Sequence, residues 1–107
     1  MILQLKRMGI GGHKSHAQVA YPLVLDLTPF AAFPSQGPPP IYDLTALINH
    51  KDMKGTGGHY TAVTRTRAGW SLFNDSTVTA VDMDVFTAGG RENALVVGFV
   101  YVRRPYK

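Results

Sequence analysis

Apolar and polar residues alternate over short segments along most of the chain, a pattern that predicts β-strands rather than long helices. The segments with strand-like patterns are residues 1–8, 17–21, 41–50, 59–66, 70–73, 78–81 and 94–102. Only residues 82–88 suit a brief helix, with Asp82 or Asp84 as its N-cap and the pair Gly89-Gly90 at its end. The pattern predicts one domain over residues 1–107, with an α+β fold of predominantly antiparallel β-sheet and little helix.

Segments rich in glycine or proline separate these strands. Residues 9–16 and 51–58 combine glycine with polar side chains, which favours flexible loops. Residues 28–40 contain five prolines. Proline donates no backbone hydrogen bond to a sheet, so this segment is predicted to be a surface connection of partly polyproline character.

A tight turn at residues 67–69 predicts that the flanking strands form a hairpin, because Gly69 can adopt the positive φ that such turns need. Counting back from the turn places Asn74 opposite a residue between 59 and 62. His59 and Asn74 are then direct or diagonal neighbours, roughly 4.5–8 Å apart. An amide oxygen that accepts from one ring nitrogen fixes the tautomer and leaves the other nitrogen free to act as a base.

The chain contains no cysteine. This excludes disulfide bonds, zinc sites built on Cys-x-x-Cys pairs and any thiol nucleophile from these 107 residues. His13 and His16 are candidate metal ligands, but without a neighbouring carboxylate in the sequence they suit a polar loop better. The sequence therefore predicts neither a metal ion nor another cofactor.

Charge and hydropathy narrow the range of partners. The formal net charge is +4, and Arg103, Arg104 and Lys107 lie close together at the end of the chain. Basic and aromatic residues do not interleave along a strand as they do in nucleic-acid stacking surfaces, so no nucleic-acid partner is expected. No apolar run is long enough to span a membrane, and residues 1–7 do not resemble a signal peptide. We expect an intracellular protein, in the cytoplasm or nucleus, with no membrane partner.

Five motifs follow one another along nearly the whole chain. They are Ile2-Leu-Gln-Leu-Lys-Arg7, Tyr21-Pro-Leu-Val-Leu-Asp-Leu27, Tyr42-Asp-Leu-Thr-Ala-Leu-Ile-Asn-His50, Gly57-Gly-His-Tyr60 with Trp70-Ser-Leu-Phe-Asn-Asp-Ser-Thr-Val78, and Val100-Tyr-Val-Arg103. In this order they resemble the ubiquitin-specific proteases, the papain-like deubiquitinases. The chain departs from the family's pattern at Met8, Tyr21 and Val97, which are apolar exchanges that affect packing more than chemistry. The resemblance implies that the sheet is the palm-like part of a papain-like cysteine protease.

The resemblance also implies the roles of a catalytic group. It makes His59 the general base that takes the proton of a thiol, and Asn74 the residue that orients the imidazole. Asp75 is the other candidate for the third triad position and otherwise supports Asn74. Adjacent strand residues point to opposite faces, so in regular pairing at most one of the two shares a face with His59.

A binding channel for substrate follows from the same resemblance. Gly57 and Gly58 leave space for the backbone of an extended peptide, which in this family is the Gly-Gly tail of ubiquitin. Tyr60 is a further substrate-binding residue. Residues 9–16 and 51–56 match by position the two blocking loops that flank the family's channel.

The nucleophilic cysteine, the oxyanion-stabilising residue and the zinc-binding fingers of the family have no counterpart in these residues. The resemblance therefore implies the C-terminal part of a catalytic domain, inactive alone because the thiolate is the attacking group. Its implied partners are a Cys-bearing N-terminal part of the domain and ubiquitin or a ubiquitinated protein. The alternative is a non-catalytic ubiquitin-binding module derived from such a domain.

Overall fold

The computed structural model describes residues 1–9, 13–32, 38–52 and 57–105. Their strands are β1 (Ile2–Gln4), β2 (Val24–Asp26), β3 (Ile41–Lys51), β4 (His59–Thr66), β5 (Gly69–Asn74), β6 (Thr77–Ala80) and β7 (Val96–Arg103). All pair antiparallel in the order β1-β7-β3-β4-β5-β6, and β2 pairs with β3. The predicted fold class, dominated by antiparallel sheet, is confirmed.

Helix occurs in the described residues only as short 3₁₀ turns, at Thr28–Phe30, Met83–Val85 and Asn93–Leu95. The helix predicted over residues 82–88 is thus a single 3₁₀ turn, and Asp82 is its N-cap, accepting from the backbone N–H of Asp84 at 3.0 Å. Across these same ranges no helix has the length and hydropathy needed to cross a membrane.

The core lies on one face of the sheet, where apolar residues of adjacent strands face one another. Leu47 of β3 pairs with Val63 of β4 on one side and with Phe99 of β7 on the other. The buried core consists of Leu44, Leu47, Val63, Met83, Phe86, Val96, Phe99 and Tyr101. The rigid centre of the sheet therefore includes β4, the strand that begins at His59.

The first strand is shorter than predicted. It ends at Gln4, whereas the sequence pattern extended it over residues 1–8. Arg7 explains the difference, because its side chain turns into the interior and is only 6% exposed. There its guanidinium donates to the carbonyls of Val96 at 2.7 Å and Asn93 at 3.2 Å.

The strand predicted over residues 17–21 is wrong, because this segment runs without strand pairing. Its backbone bonds to side chains instead. The carbonyl of Ala17 accepts from Arg7 at 2.8 Å, while Val19 donates to Asn93 Oδ1 at 2.7 Å and accepts from Asn93 Nδ2 at 2.9 Å. Two buried polar side chains thus satisfy the groups that a neighbouring strand would otherwise pair.

Replacing Asn93 with Ala is expected to lower the free energy of unfolding by about 2–4 kcal/mol. Asn93 is fully buried, and its loss leaves the N–H and carbonyl of Val19 without their partners. Urea unfolding of the 107-residue chain measures the change. Arg91→Ala is the matched control, because that side chain is 81% exposed and should change stability by less than about 0.5 kcal/mol. Equal stability of the two variants would contradict the role given to Asn93.

Three predicted loop regions lie partly outside the described residues. The parts that are not described are residues 10–12 and 53–56 in the two glycine-containing loops and residues 33–37 in the proline-rich connection. The assignment of the two loops as blocking loops therefore stays a prediction.

Candidate active site

The predicted hairpin of β4 and β5 is present and places His59 beside Asn74. The turn after Thr66 is closed by Gly69, which has a φ of 113°. Ala62 pairs with Phe73, so the next residues in register are Thr61 and Asn74. His59 lies two residues before Thr61 and on the same face, which makes it the diagonal neighbour of Asn74.

The side chains of His59 and Asn74 are in hydrogen-bond contact. Nε2 of His59 lies 2.7 Å from Oδ1 of Asn74. Because an amide oxygen only accepts, Nε2 is the donor in this pair, and in the neutral ring Nδ1 keeps its lone pair. The hairpin thus presents an imidazole with a fixed tautomer, whose Nδ1 makes no hydrogen bond to the described residues.

Asp75 lies outside the strand. It occupies the two-residue turn between β5 and β6, where Asn74 pairs with Thr77, and has a φ of 52°. Within the described ranges its carboxylate makes no hydrogen bond to His59, in contrast to Asn74. The structure therefore brings together His59 and Asn74 but not Asp75, while the catalytic roles assigned to all three remain predictions.

The predicted substrate-binding residues surround His59 in the chain. Gly57 and Gly58 have φ values of 78° and 122°, conformations that residues with a Cβ rarely adopt. At Gly58 a Cβ would also overlap the ring of His50. Tyr60 lies on the opposite face of β4 from His59 and is 65% exposed. The two described residues before His59, Gly57 and Gly58, thus carry no side chain.

His50 and Lys14 are contacts of this region that sequence reasoning did not select. Lys14 Nζ lies 2.9 Å from Nδ1 of His50, and the His50 ring lies 4.5 Å from the ring of Tyr60. The pairing of β3 with β4, which sets His50 opposite Tyr60, is the feature from which the position of His50 could have been predicted. A cavity of about 550 Å³ is lined by these three residues and by Gly57.

His13 and His16 do not form a metal site in the part of the chain that the structure describes. There, no group of three or more His, Cys, Asp or Glu side chains is arranged to hold an ion. His16 instead lies 3.8 Å from a carboxylate oxygen of Asp52, and both side chains are largely exposed.

Residues 1–101 match the family model described as ubiquitin carboxyl-terminal hydrolase. The chain belongs to this family. The sequence-based resemblance to ubiquitin-specific proteases is thereby confirmed.

Several members of the ubiquitin carboxyl-terminal hydrolase family are similar over almost the whole chain. Mouse ubiquitin carboxyl-terminal hydrolase 17-like protein C is 36% identical over 102 residues, which cover 94% of this chain. Human ubiquitin carboxyl-terminal hydrolase 19 is 37% identical over 116 aligned residues, which cover 95% of this chain. The chain spans only 18% and 8% of the lengths of these two relatives.

Solved structures of the family share the fold. The Ubp8-Sgf11-Sgf73-Sus1 SAGA DUB module contains a chain that matches all of this one with a TM-score of 0.75 and 26% identity. The match covers 24% of that chain. A SAGA DUB module bound to monoubiquitin matches 99% of this chain with a TM-score of 0.67 and 26% identity. The sheet of this chain therefore has the fold of the matching part of these SAGA DUB module chains.

Proposed function

We propose that this chain is the His-bearing lobe of a cysteine-type deubiquitinase that hydrolyses peptide and isopeptide bonds at the C-terminus of ubiquitin. The observation that carries the proposal is the 2.7 Å contact between His59 Nε2 and Asn74 Oδ1. Family membership over residues 1–101 supports the same reaction. The thiol comes from a Cys-bearing N-terminal part of the catalytic domain, because these 107 residues contain no cysteine.

In the proposed mechanism Nδ1 of His59 takes the proton of the incoming thiol, which creates a thiolate and an imidazolium. The thiolate attacks the carbonyl carbon of the terminal glycine of ubiquitin, and the imidazolium gives its proton to the leaving amine. Water, deprotonated by the same nitrogen, then releases ubiquitin from the thioester. Throughout, the hydrogen bond from Nε2 to Asn74 holds the ring in one orientation.

The substrate approaches past Gly57 and Gly58 in this proposal. Two consecutive residues without side chains let an extended backbone come close to His59. Tyr60, with its exposed ring, supplies an aromatic surface beside this path. The structural relative bound to monoubiquitin supports ubiquitin as the ligand of this fold.

The pure 107-residue chain is expected to show no hydrolysis of ubiquitin conjugates, because it supplies a base but no thiol. Joined in one polypeptide to a Cys-bearing N-terminal part of the catalytic domain, it should release free ubiquitin. The control is the same fusion with the nucleophilic cysteine replaced by alanine. Turnover by the chain alone contradicts the proposal. A folded fusion that binds ubiquitin without cleaving its conjugates would instead support the non-catalytic module.

A further inference from the structure

A second histidine, His50, packs against both neighbours of the proposed base. It lies near the end of β3 opposite Tyr60, and its side chain is 15% exposed. One side of the ring meets the backbone of Gly58 so closely that no Cβ fits between them. The ring also contacts that of Tyr60, with centroids 4.5 Å apart and planes inclined by 48°. His50 therefore touches the residues immediately before and after His59.

Lys14 fixes the orientation of the His50 ring. Its Nζ lies 2.9 Å from Nδ1 of His50 and donates to the backbone carbonyl of His50 at 3.1 Å. An ammonium group only donates, so Nδ1 accepts and the hydrogen of the neutral ring is on Nε2, the atom facing Gly58. The Lys14 side chain is only 10% exposed. The carboxylate of Asp52 lies 3.5 Å from Nζ of Lys14 and 3.5 Å from Nδ1 of His50.

The segment that carries Lys14 is itself attached to the sheet region. Met8 and Lys14 form an antiparallel bridge, and the N–H of Ser15 donates to the carbonyl of Arg7 at 2.6 Å. Arg7 is buried among the carbonyls of the core. The ammonium group is thus held in place from a rigid part of the fold.

We infer that His50 is a positioning residue for the reaction proposed above, on which this inference rests. Its neutral ring, held by Lys14, fixes the backbone of Gly58 and the ring of Tyr60 and thereby the place of His59 between them. Small displacements of a reacting group reduce the rate of the chemical step far more than the binding of substrate. Loss of the Lys14–His50 contact should therefore lower kcat more than it raises KM.

Three variants in the catalytic domain completed with a Cys-bearing part separate this role from simple packing. His50→Phe keeps an aromatic ring but removes the acceptor, which leaves the ammonium of Lys14 without that partner. It is expected to lower kcat by up to about 100-fold, as a small misplacement of a reacting group can. Lys14→Met combined with His50→Phe removes both partners of the contact, so its kcat should be no lower than that of His50→Phe alone. Lys6→Met, at an exposed position, is the control for the lysine change and should leave kcat unaltered.

An independent readout uses the completed catalytic domain and does not depend on activity. Nitrogen-15 chemical shifts of the imidazoles should show that His50 carries its hydrogen on Nε2 in the neutral form, and Lys14→Met should weaken this preference. A hydrogen on Nδ1, or a tautomer indifferent to Lys14→Met, overturns the inference.

The two levels of proposal fail in different ways. If His59→Ala abolishes turnover while His50→Phe keeps the parent kcat, the positioning role is wrong and the proposed function stands. If His59→Ala leaves turnover intact, the proposed function itself is wrong, and the positioning role falls with it. A further loss of kcat in the double variant also contradicts the inference, because the two residues then do not act through one contact.

Discussion

Replacing His59 with Ala in a completed catalytic domain is expected to lower kcat/KM by about 10²–10⁴-fold. The variant loses the group that takes the thiol proton and later returns it to the leaving amine. It also removes the imidazolium that stabilises the thiolate as an ion pair. Because both effects act on the chemical step, kcat should carry most of the loss. Steady-state hydrolysis of a ubiquitin C-terminal fluorogenic amide measures both constants.

The matched control for this change is Arg65→Ala. Arg65 is an exposed residue of the same strand, so the substitution tests whether altering β4 alone reduces activity. Thermal unfolding of both variants establishes that the sheet is intact. Parent-like kcat/KM in a folded His59→Ala variant would mean that another group is the base.

Replacing Asn74 with Ala is expected to lower kcat/KM by up to about 100-fold, less than the loss of His59. The amide of Asn74 carries no charge and transfers no proton. Its contribution is the hydrogen bond at 2.7 Å that fixes the tautomer and the direction of the ring. Strand pairing continues to hold the backbone of His59 in the variant, so part of the orientation survives.

Asp75 provides the comparison that decides the third triad position. Asp75→Asn removes the charge but keeps a residue type that tolerates the positive φ of this turn position. Asp75 lies in the turn between β5 and β6, and Asn74 is the residue whose side chain contacts His59. The Asp75→Asn variant should therefore lose less activity than Asn74→Ala. If Asp75→Asn inactivates the enzyme while Asn74→Ala does not, Asp75 is the orienting residue and the assignment of Asn74 is wrong.

The contact between His59 and Asn74 could be predicted from the sequence because local rules determine it. Gly69 fixes the turn, the turn fixes the register of β4 and β5, and the register sets which side chains share a face. The same reasoning identified β3, whose observed bounds differ from the predicted ones by one residue, at Lys51. The sequence pattern predicts contacts best where the paired strands are consecutive in the chain.

Other contacts depend on buried polar groups, and hydropathy gives no signal for them. The apolar residues near Val19 suggested a strand, but the side chain of Asn93, 74 residues away in the chain, bonds to that backbone instead. Lys14 and His50 are likewise 36 residues apart, and the segment of Lys14 is not paired with β3, the strand of His50. A charged residue in a glycine-containing segment favours an exposed loop, whereas the fold uses Lys14 as a nearly buried donor.

The central claim, that His59 activates a thiol supplied from outside these residues, is tested most directly by the pH dependence of alkylation of that thiol. In the completed domain, iodoacetamide should modify the catalytic cysteine rapidly at pH values well below about 8.5, which is the ordinary pKa of a thiol. The reason is that the imidazolium stabilises the thiolate. In His59→Ala the profile should move up to about that value. Superimposable profiles for the parent and His59→Ala would contradict the account.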